Sequence, residues 1–268
     1  MTEPTVPHRF ELQFDVPGTP ADVWQAIATA EGISAWMLPT KLEPRVGGPV
    51  MFDMGPEATS HGHVTAYEPE RRFAYDEDWA ALVGQDSSTV TPLATEFLIE
   101  ARSGGTCTVR VVTSAYGTGA EWESEFFGDM AAGWAPTLDN LRIYLTHFPG
   151  QEATTFQVAA TTAGSAAEAL DAVRHALGVT GGGGAAVDAN GVTGAVERDG
   201  EHSVLVRAHA PVPAMLSFVA FGQPTGTTLM LQGYLFGNGR ADGIADGDRD
   251  RWQRWLDQTA AAAVPFEP

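Results

Sequence analysis

The 268-residue chain is nearly without cysteine and lysine: Cys107 and Lys41 are the only residues of their types. A lone cysteine excludes an internal disulfide and a cysteine-rich metal site. The 34 acidic residues outnumber the 15 Lys and Arg residues, which gives a formal net charge of −19. Because nucleic acids and anionic membranes both need a basic surface, neither is expected as a partner.

Long hydrophobic runs are also missing. The sequence has no stretch of about eighteen apolar residues, so no transmembrane helix is expected. The opening residues MTEPTVPHRFELQF lack a basic segment followed by an apolar one, unlike a secretory signal. A cytoplasmic location is therefore expected. Hydrophobic residues still make up 44% of the chain, which is enough for a folded core.

The strongest pattern that is present lies in residues 121–145, where apolar residues recur at steps of three and four. Such spacing marks one face of an amphipathic helix. The face consists of Trp122, Phe126, Met130, Trp134, Leu138, Leu141 and Leu145. The helix is predicted over residues 119–147 and ends at Phe148-Pro149-Gly150.

The preceding residues predict a strand, a capped helix and a series of hairpins. Residues 9–16 alternate between apolar and polar, as in a half-buried strand. Thr19, Pro20 and Asp22 then fit the N-cap, first position and capping-box acid of a helix. A short helix over 32–38 and strands over 43–54, 61–67, 72–79, 95–102 and 106–115 follow. The long helix needs a broad partner, and a curved antiparallel sheet supplies one in an α+β fold.

The same order recurs in the second half of the chain. Aligning Phe156 with Phe10 places Ser165 at Thr19 and Leu170 at Trp24, a constant offset of 146. A helix is predicted over 166–177, strands over 192–198, 203–210, 215–221 and 227–236, and a final helix over 248–264. The sequence therefore predicts two domains, 1–149 and 150–268, the second a shortened, degenerate copy of the first.

Several segments of the first half together resemble a known family. Residues 16–26 (VPGTPADVWQA), followed by Trp36, resemble the entry of the SRPBCC, or START-like, superfamily. Within it, they resemble the branch related to the activator of heat-shock-protein ATPase. Residues 62–72 resemble that branch's central hairpin, and residues 133–145 resemble its terminal helix. The resemblance covers residues 8–148 and is faint beyond them.

The resemblance implies a helix-grip fold, in which a curved antiparallel sheet wraps around a long C-terminal helix and encloses a cavity. The superfamily includes lipid carriers, hormone receptors, aromatase/cyclases and chaperone activators. Fold alone does not choose among these activities.

Aromatic residues are the candidate ligand contacts, because hydrophobic ligands use apolar pockets with few polar groups. The predicted set is Trp36, Phe52, Trp79, Trp122, Phe126, Met130 and Trp134. The same residues could instead fill the core, and helical spacing does not separate the two roles. Candidate polar contacts from the sheet are Asp53, His63, Glu96, Arg110 and Tyr116.

Three further motifs are interpreted as structural segments rather than as metal-binding or phosphate-binding sites. His61 and His63 share a strand face, but no third metal ligand accompanies them. The acidic run 76–78 lacks the spacing of a calcium loop and is interpreted as a solvated loop or strand end. The glycines of 181–184 lack the Lys and Ser or Thr of a phosphate loop. No metal or cofactor is therefore predicted.

The preferred hypothesis is a bacterial-type tandem protein that binds a small apolar or amphipathic molecule, without covalent chemistry. The second copy would then serve packing or homodimer contacts. An aromatase/cyclase acting on a polyketide-like substrate is the first alternative. A chaperone-activating or protein-interaction module is the second. The sequence contains no triad or nucleophile motif, so enzymatic activity is left open, with non-enzymatic binding favoured.

Overall fold

The structure, a computed structural model, describes residues 5–55, 58–223, 226–237 and 244–263. The chain divides into two compact units, Met1–Gln151 and Glu152–Pro268. Among the described residues, no helix is both long and apolar enough to cross a membrane.

The described residues of the N-terminal unit form an antiparallel seven-stranded sheet with four α-helices. Its strands are β1 (Val6–Pro17), β2 (Thr40–Leu42), β3 (Pro49–Asp53), β4 (Thr59–Glu68), β5 (Arg72–Glu77), β6 (Leu93–Arg102) and β7 (Thr106–Gly117). Its helices are α1 (Pro20–Ala28), α2 (Ala30–Ser34), α3 (Trp79–Leu82) and α4 (Glu121–His147). The strand order β1-β7-β6-β5-β4-β3-β2 places the first and last strands side by side.

Local chemistry explains the start of α1 and the length of α2. The Thr19 hydroxyl accepts from the Asp22 backbone N–H, and the Asp22 carboxylate accepts from the Thr19 backbone N–H at 2.8 Å. This is the predicted capping box. Helix α2 was predicted over 32–38, but it begins earlier because Thr29 caps it by accepting from the Gly32 N–H.

Helix α4 lies on one face of the sheet, called here the inner face. The ring of Trp134 is 5.7 Å from that of Phe97 on β6, and Phe127 contacts Phe10 of β1 at 6.3 Å. Trp134 and Leu141 are buried, as the apolar spacing predicts, whereas Trp122 is only half-buried. The helix-grip arrangement of a sheet around a long terminal helix is thereby confirmed.

Glu123 anchors the first turn of α4 although it is a fully buried carboxylate. It accepts hydrogen bonds from the Thr118 N–H, the Thr118 hydroxyl and the Gly119 N–H, each at 2.9 Å. His8 Nε2 lies 3.0 Å from it. Burial alone would raise the pKa of Glu123, but these hydrogen bonds together lower it. A Cβ atom on Gly117 would lie 2.1 Å from the carboxylate, so this position admits only glycine without a shift.

Within its described residues, the C-terminal unit repeats the topology with one strand and two helices fewer. Its elements are β8 (Thr154–Thr162), α5 (Ala166–Ala176), β9 (Ala186–Ala189), β10 (Val192–Asp199), β11 (Ser203–Ala210), β12 (Ala214–Gln223), β13 (Gly226–Leu235) and α6 (Ile244–Ala262). The strand order is β8-β13-β12-β11-β10-β9. The predicted turn residues Pro224 and Thr225, and Val264 at the end of the last helix, lie outside the described residues.

The repeated capping box supports a duplicated fold. The Ser165 hydroxyl accepts from the Glu168 N–H, and the Glu168 carboxylate accepts from the Ser165 N–H at 2.7 Å. Leu170, at the place of Trp24, is fully buried. The α+β class with two helix-grip copies is therefore confirmed. The described residues of the second copy lack counterparts of β2, α2 and α3.

Candidate functional site

A cavity of about 830 Å³ opens at one end of the N-terminal sheet, between strands β2–β5 and the segment 79–92. Apolar and acidic side chains dominate its wall. Its lining is Lys41, Leu42, Glu43, Pro49, Val50, Met51, His61, Gly62, His63, Asp76, Glu77, Asp78, Trp79, Ser87, Val90, Thr91 and Pro92. The size is within the range of about 300–1,000 Å³ typical of small-molecule sites.

The cavity forms where β5 leaves its neighbour. Gly62 of β4 pairs with Glu77, the last residue of β5. The Asp78 N–H still donates to the His61 carbonyl at 3.1 Å, and the chain then turns into α3. The Asp78 carboxylate caps this short helix by accepting from the Ala81 N–H at 3.2 Å. The turn removes β5 from the sheet at this end and leaves a gap beside β4.

Glu77 is the most unusual group in the wall of the cavity. It follows Phe73 and Tyr75 at alternate positions of β5, so it shares their inner face. The buried Ser60 hydroxyl donates to its carboxyl group. Burial raises the pKa of Glu77 to about 7, the hydrogen bond from Ser60 lowers it in part, and the charge of Asp76 raises it further. At neutral pH this carboxyl is close to half protonated.

A buried polar row lies next to Glu77 on the inner face. Tyr75 is 2% exposed and shares a hydrogen bond with Thr95 of β6. The Thr95 and Thr113 hydroxyls are 3.4 Å apart. Burial, followed by the negative charge of Glu77, holds the pKa of Tyr75 well above its usual value. Hydroxyl groups are therefore embedded in an otherwise apolar face, within reach of the cavity's carboxyl.

Trp79 joins the cavity to an aromatic cluster. It is fully buried, and its Nε1–H donates to the Thr91 carbonyl at 2.8 Å. Its ring contacts Trp122 at 4.8 Å and Phe126 at 5.2 Å. Both residues, and Met130, are half-buried against this cluster. The first half of α4 thus packs against Trp79.

Of the seven predicted contacts, Trp79 is the one that lines this cavity. Trp36 is fully buried and donates its Nε1–H to the Ala26 carbonyl at 2.9 Å. Phe52 packs on Tyr75 at 5.1 Å, and Trp134 packs on Phe97. The cavity residue Trp79 contacts the rings of Trp122 and Phe126, and Met130 packs against the same cluster. A ligand-contact role stays a prediction for all seven residues.

Among the predicted polar contacts, His63 lines the cavity. Glu96 and Arg110 instead form ion pairs, with Arg72 at 2.5 Å and Glu11 at 3.4 Å. Tyr116 is 51% exposed, and Asp53 accepts from the Gly55 N–H at 3.0 Å.

Glu77 and Ser60 were missed by the sequence reasoning, which took 76–78 as a solvated loop or strand end. The alternation Phe73, Tyr75, Glu77 was the available signal, since it puts all three on one face. For His61 and His63, the structure gives no metal arrangement: the described residues contain no group of three or more His, Cys, Asp or Glu placed to hold an ion.

Residues 17–146 match the family described as Activator of Hsp90 ATPase homolog 1-like protein. These residues form an Activator of Hsp90 ATPase homolog 1-like domain. The family resemblance seen in the sequence is thereby confirmed for the N-terminal unit, called the activator-like domain below. No curated protein matches the sequence.

Solved structures show weak similarity. Protein MLL2253 from Mesorhizobium loti is 18% identical, over 53% of this chain and 98% of its own, with a TM-score of 0.45. CalU16 from Micromonospora echinospora is 16% identical, over 52% of this chain and 76% of its own, with a TM-score of 0.40. The di-domain ARO/CYC BexL of the BE-7585A biosynthetic pathway is 13% identical, over 97% of this chain and 100% of its own, with a TM-score of 0.42. Because all three scores are below 0.5, the fold rests on the strand order and the family match.

Proposed function

We propose that the activator-like domain binds a small, largely apolar molecule in the cavity beside β2–β5, without covalent chemistry. The observation that carries this proposal is the cavity itself, about 830 Å³ in volume. Its apolar wall includes Val50, Met51, Trp79 and Val90. Burying a ligand's apolar surface there would contribute roughly 25 cal/mol per Å². The fully buried Trp79, fixed to Thr91, gives that wall a rigid part.

Native mass spectrometry of the intact protein, compared with its denatured mass, tests the proposal. A co-purifying molecule, released on denaturation and extracted, would support binding and reveal its chemical class. A clean apo mass after incubation with fatty alcohols, fatty amines, sterols and aromatic polyketides would contradict it and favour a protein-interaction role. The same spectra test the expected homodimer.

An aromatase/cyclase-type activity is the second candidate, favoured by Glu77. A carboxyl with a pKa of about 7 in a cavity wall is suited to general acid–base catalysis at neutral pH. In a chain of alternating carbonyls, Glu77 would take a proton from the carbon between two of them. It would then return the proton to the alkoxide formed on ring closure, which gives a hydroxyl group. The ionised Glu77 would next remove the second hydrogen of the same carbon and give that proton to the departing hydroxyl group, so that water leaves and a carbon–carbon double bond forms. Incubation with a poly-β-carbonyl thioester, followed by mass spectrometry, would show water loss with the wild type and none with Glu77→Gln.

A further inference from the structure

The electrostatic character of the cavity restricts its ligand, provided that the proposed binding function is correct. Four carboxyl groups line the wall, those of Glu43, Asp76, Glu77 and Asp78, against the single ammonium group of Lys41. An anionic ligand would enter against a negative potential, whereas a cation would be attracted.

Glu77 differs from the neighbouring acids in how its charge is compensated. The Asp76 carboxylate accepts from the His63 backbone N–H at 2.9 Å, and that of Asp78 accepts from the Ala81 N–H and the Ser87 hydroxyl. Glu77 accepts from the Ser60 hydroxyl, while apolar groups such as Val50 and Trp79 share its wall. A buried carboxylate with so little compensation is stabilised when a cation pairs with it.

We propose that the cavity selects an organic cation, with an apolar body against Val50 and Val90 and a protonated amine beside Glu77. Glu77 is then the specificity-determining residue of the site. A neutral ligand of the same shape gains the apolar contacts but not the ion pair. The cavity excludes a carboxylic acid or phosphate by charge.

Binding of the amine depends on pH because Glu77 must be ionised to pair with it. With a pKa of about 7, roughly one Glu77 in ten is ionised at pH 6 and nine in ten at pH 8. The other ionisable groups that line the cavity are His61 and His63 of β4, Asp76 of β5, Asp78, and Lys41 and Glu43 at the end of β2. Tyr75 lies two residues before Glu77 on the same face of β5. The two histidines line the same cavity as Glu77, so substitution must separate their contribution from that of Glu77.

Two pairs of matched probes test the inference on the full chain: 2-naphthylmethylamine against 2-naphthalenemethanol, and decylamine against decanol. Isothermal titration calorimetry at pH 6 and pH 8 measures each affinity. We expect the amine of at least one pair to bind more tightly than its alcohol at pH 8. The affinity of this amine should be about tenfold lower at pH 6, because the ionised fraction of Glu77 falls about tenfold between pH 8 and pH 6. The affinity of its alcohol should be unchanged.

Two variants test whether Glu77 causes the preference for the amine and its pH dependence. Glu77→Gln should remove the preference for the amine and its pH dependence, while alcohol binding persists and shows that the cavity is intact. The double variant His61→Gln/His63→Gln should keep the preference for the amine and its pH dependence. Equal affinities for amine and alcohol in the wild type would overturn the inference but leave the proposed function standing. Failure of all four probes to bind would contradict the proposed function and the inference with it.

Discussion

The hydroxyl of Ser60 donates a hydrogen bond to the carboxyl of Glu77 across the β4–β5 pair, in the wall of the cavity. The bond joins a fully buried serine to an acid that shares its face with Phe73 and Tyr75. Because one hydroxyl does not replace the water around a carboxylate, Glu77 retains its proton to a higher pH than an exposed acid does.

Replacing Glu77 with Gln should stabilise the protein at pH 8 but not at pH 4.5. The folded pKa is about 7 and the ordinary value 4.5, so the folded state binds more protons between these values. Stability therefore falls as pH rises from about 4.5 to 7, by roughly 3 kcal/mol, and stays lower above pH 7. Urea unfolding of both proteins at each pH measures the difference. The exposed Glu125→Gln is the control, and a gain for Glu77→Gln that does not depend on pH would contradict the prediction.

Trp79 and Trp36 form a matched pair for testing the cavity. Both are fully buried, and their Nε1–H groups donate to backbone carbonyls at 2.8 and 2.9 Å. Substitution of either by Phe should cost about 1–3 kcal/mol, because a buried carbonyl loses its donor. Only Trp79→Phe should weaken the binding of a hydrophobic probe measured by calorimetry, since Trp36 does not line the cavity. Equal effects of the two variants on affinity would argue against the cavity as the binding site.

Glu123→Gln should destabilise the protein by about 2 kcal/mol, because the amide nitrogen cannot accept the hydrogen bonds that a carboxylate oxygen accepts. Those bonds hold its pKa below the ordinary value of 4.5. The stabilisation is therefore present above about pH 4.5 and lost as pH falls below it. Denaturant unfolding at pH 7 and pH 3.5 checks both parts. The control Glu125→Gln, exposed on the same helix, should have little effect. A loss of stability in Glu123→Gln that is larger at pH 3.5 than at pH 7 would contradict the prediction.

The two capping boxes should respond alike to the same change. Thr19→Ala and Ser165→Ala should each cost about 1 kcal/mol, because each leaves a first-turn N–H without its acceptor. Hydrogen exchange should quicken in α1 for the first variant and in α5 for the second. Thr19→Ser and Ser165→Thr should retain the protection. Faster exchange in both helices from one substitution would show that the caps do not act locally.

The regular elements could be predicted because their signals are local. The spacing from Trp122 to Leu145 predicts α4 to within two residues of its start, and the Thr19 and Ser165 boxes fix the starts of α1 and α5. The short elements β2, β9 and α3 were missed. Each is three or four residues long, too short for a periodic pattern, and forms through strand pairing or a single cap.

By itself the sequence determined the two-copy order of elements, the capped helices and the apolar face of α4, since each follows from side-chain periodicity or from contacts three or four residues apart. Only the tertiary structure decided which aromatic residues face a cavity and which fill the core. It also decided the protonation of Glu77. This residue lies within an acidic run typical of solvated surface, but its surroundings raise its pKa to about 7. The reason is that desolvation depends on what the rest of the fold places around a group. Here these neighbours include Ser60 and Gly62 of β4 and residues 90–92, all more than ten positions from Glu77 in the chain.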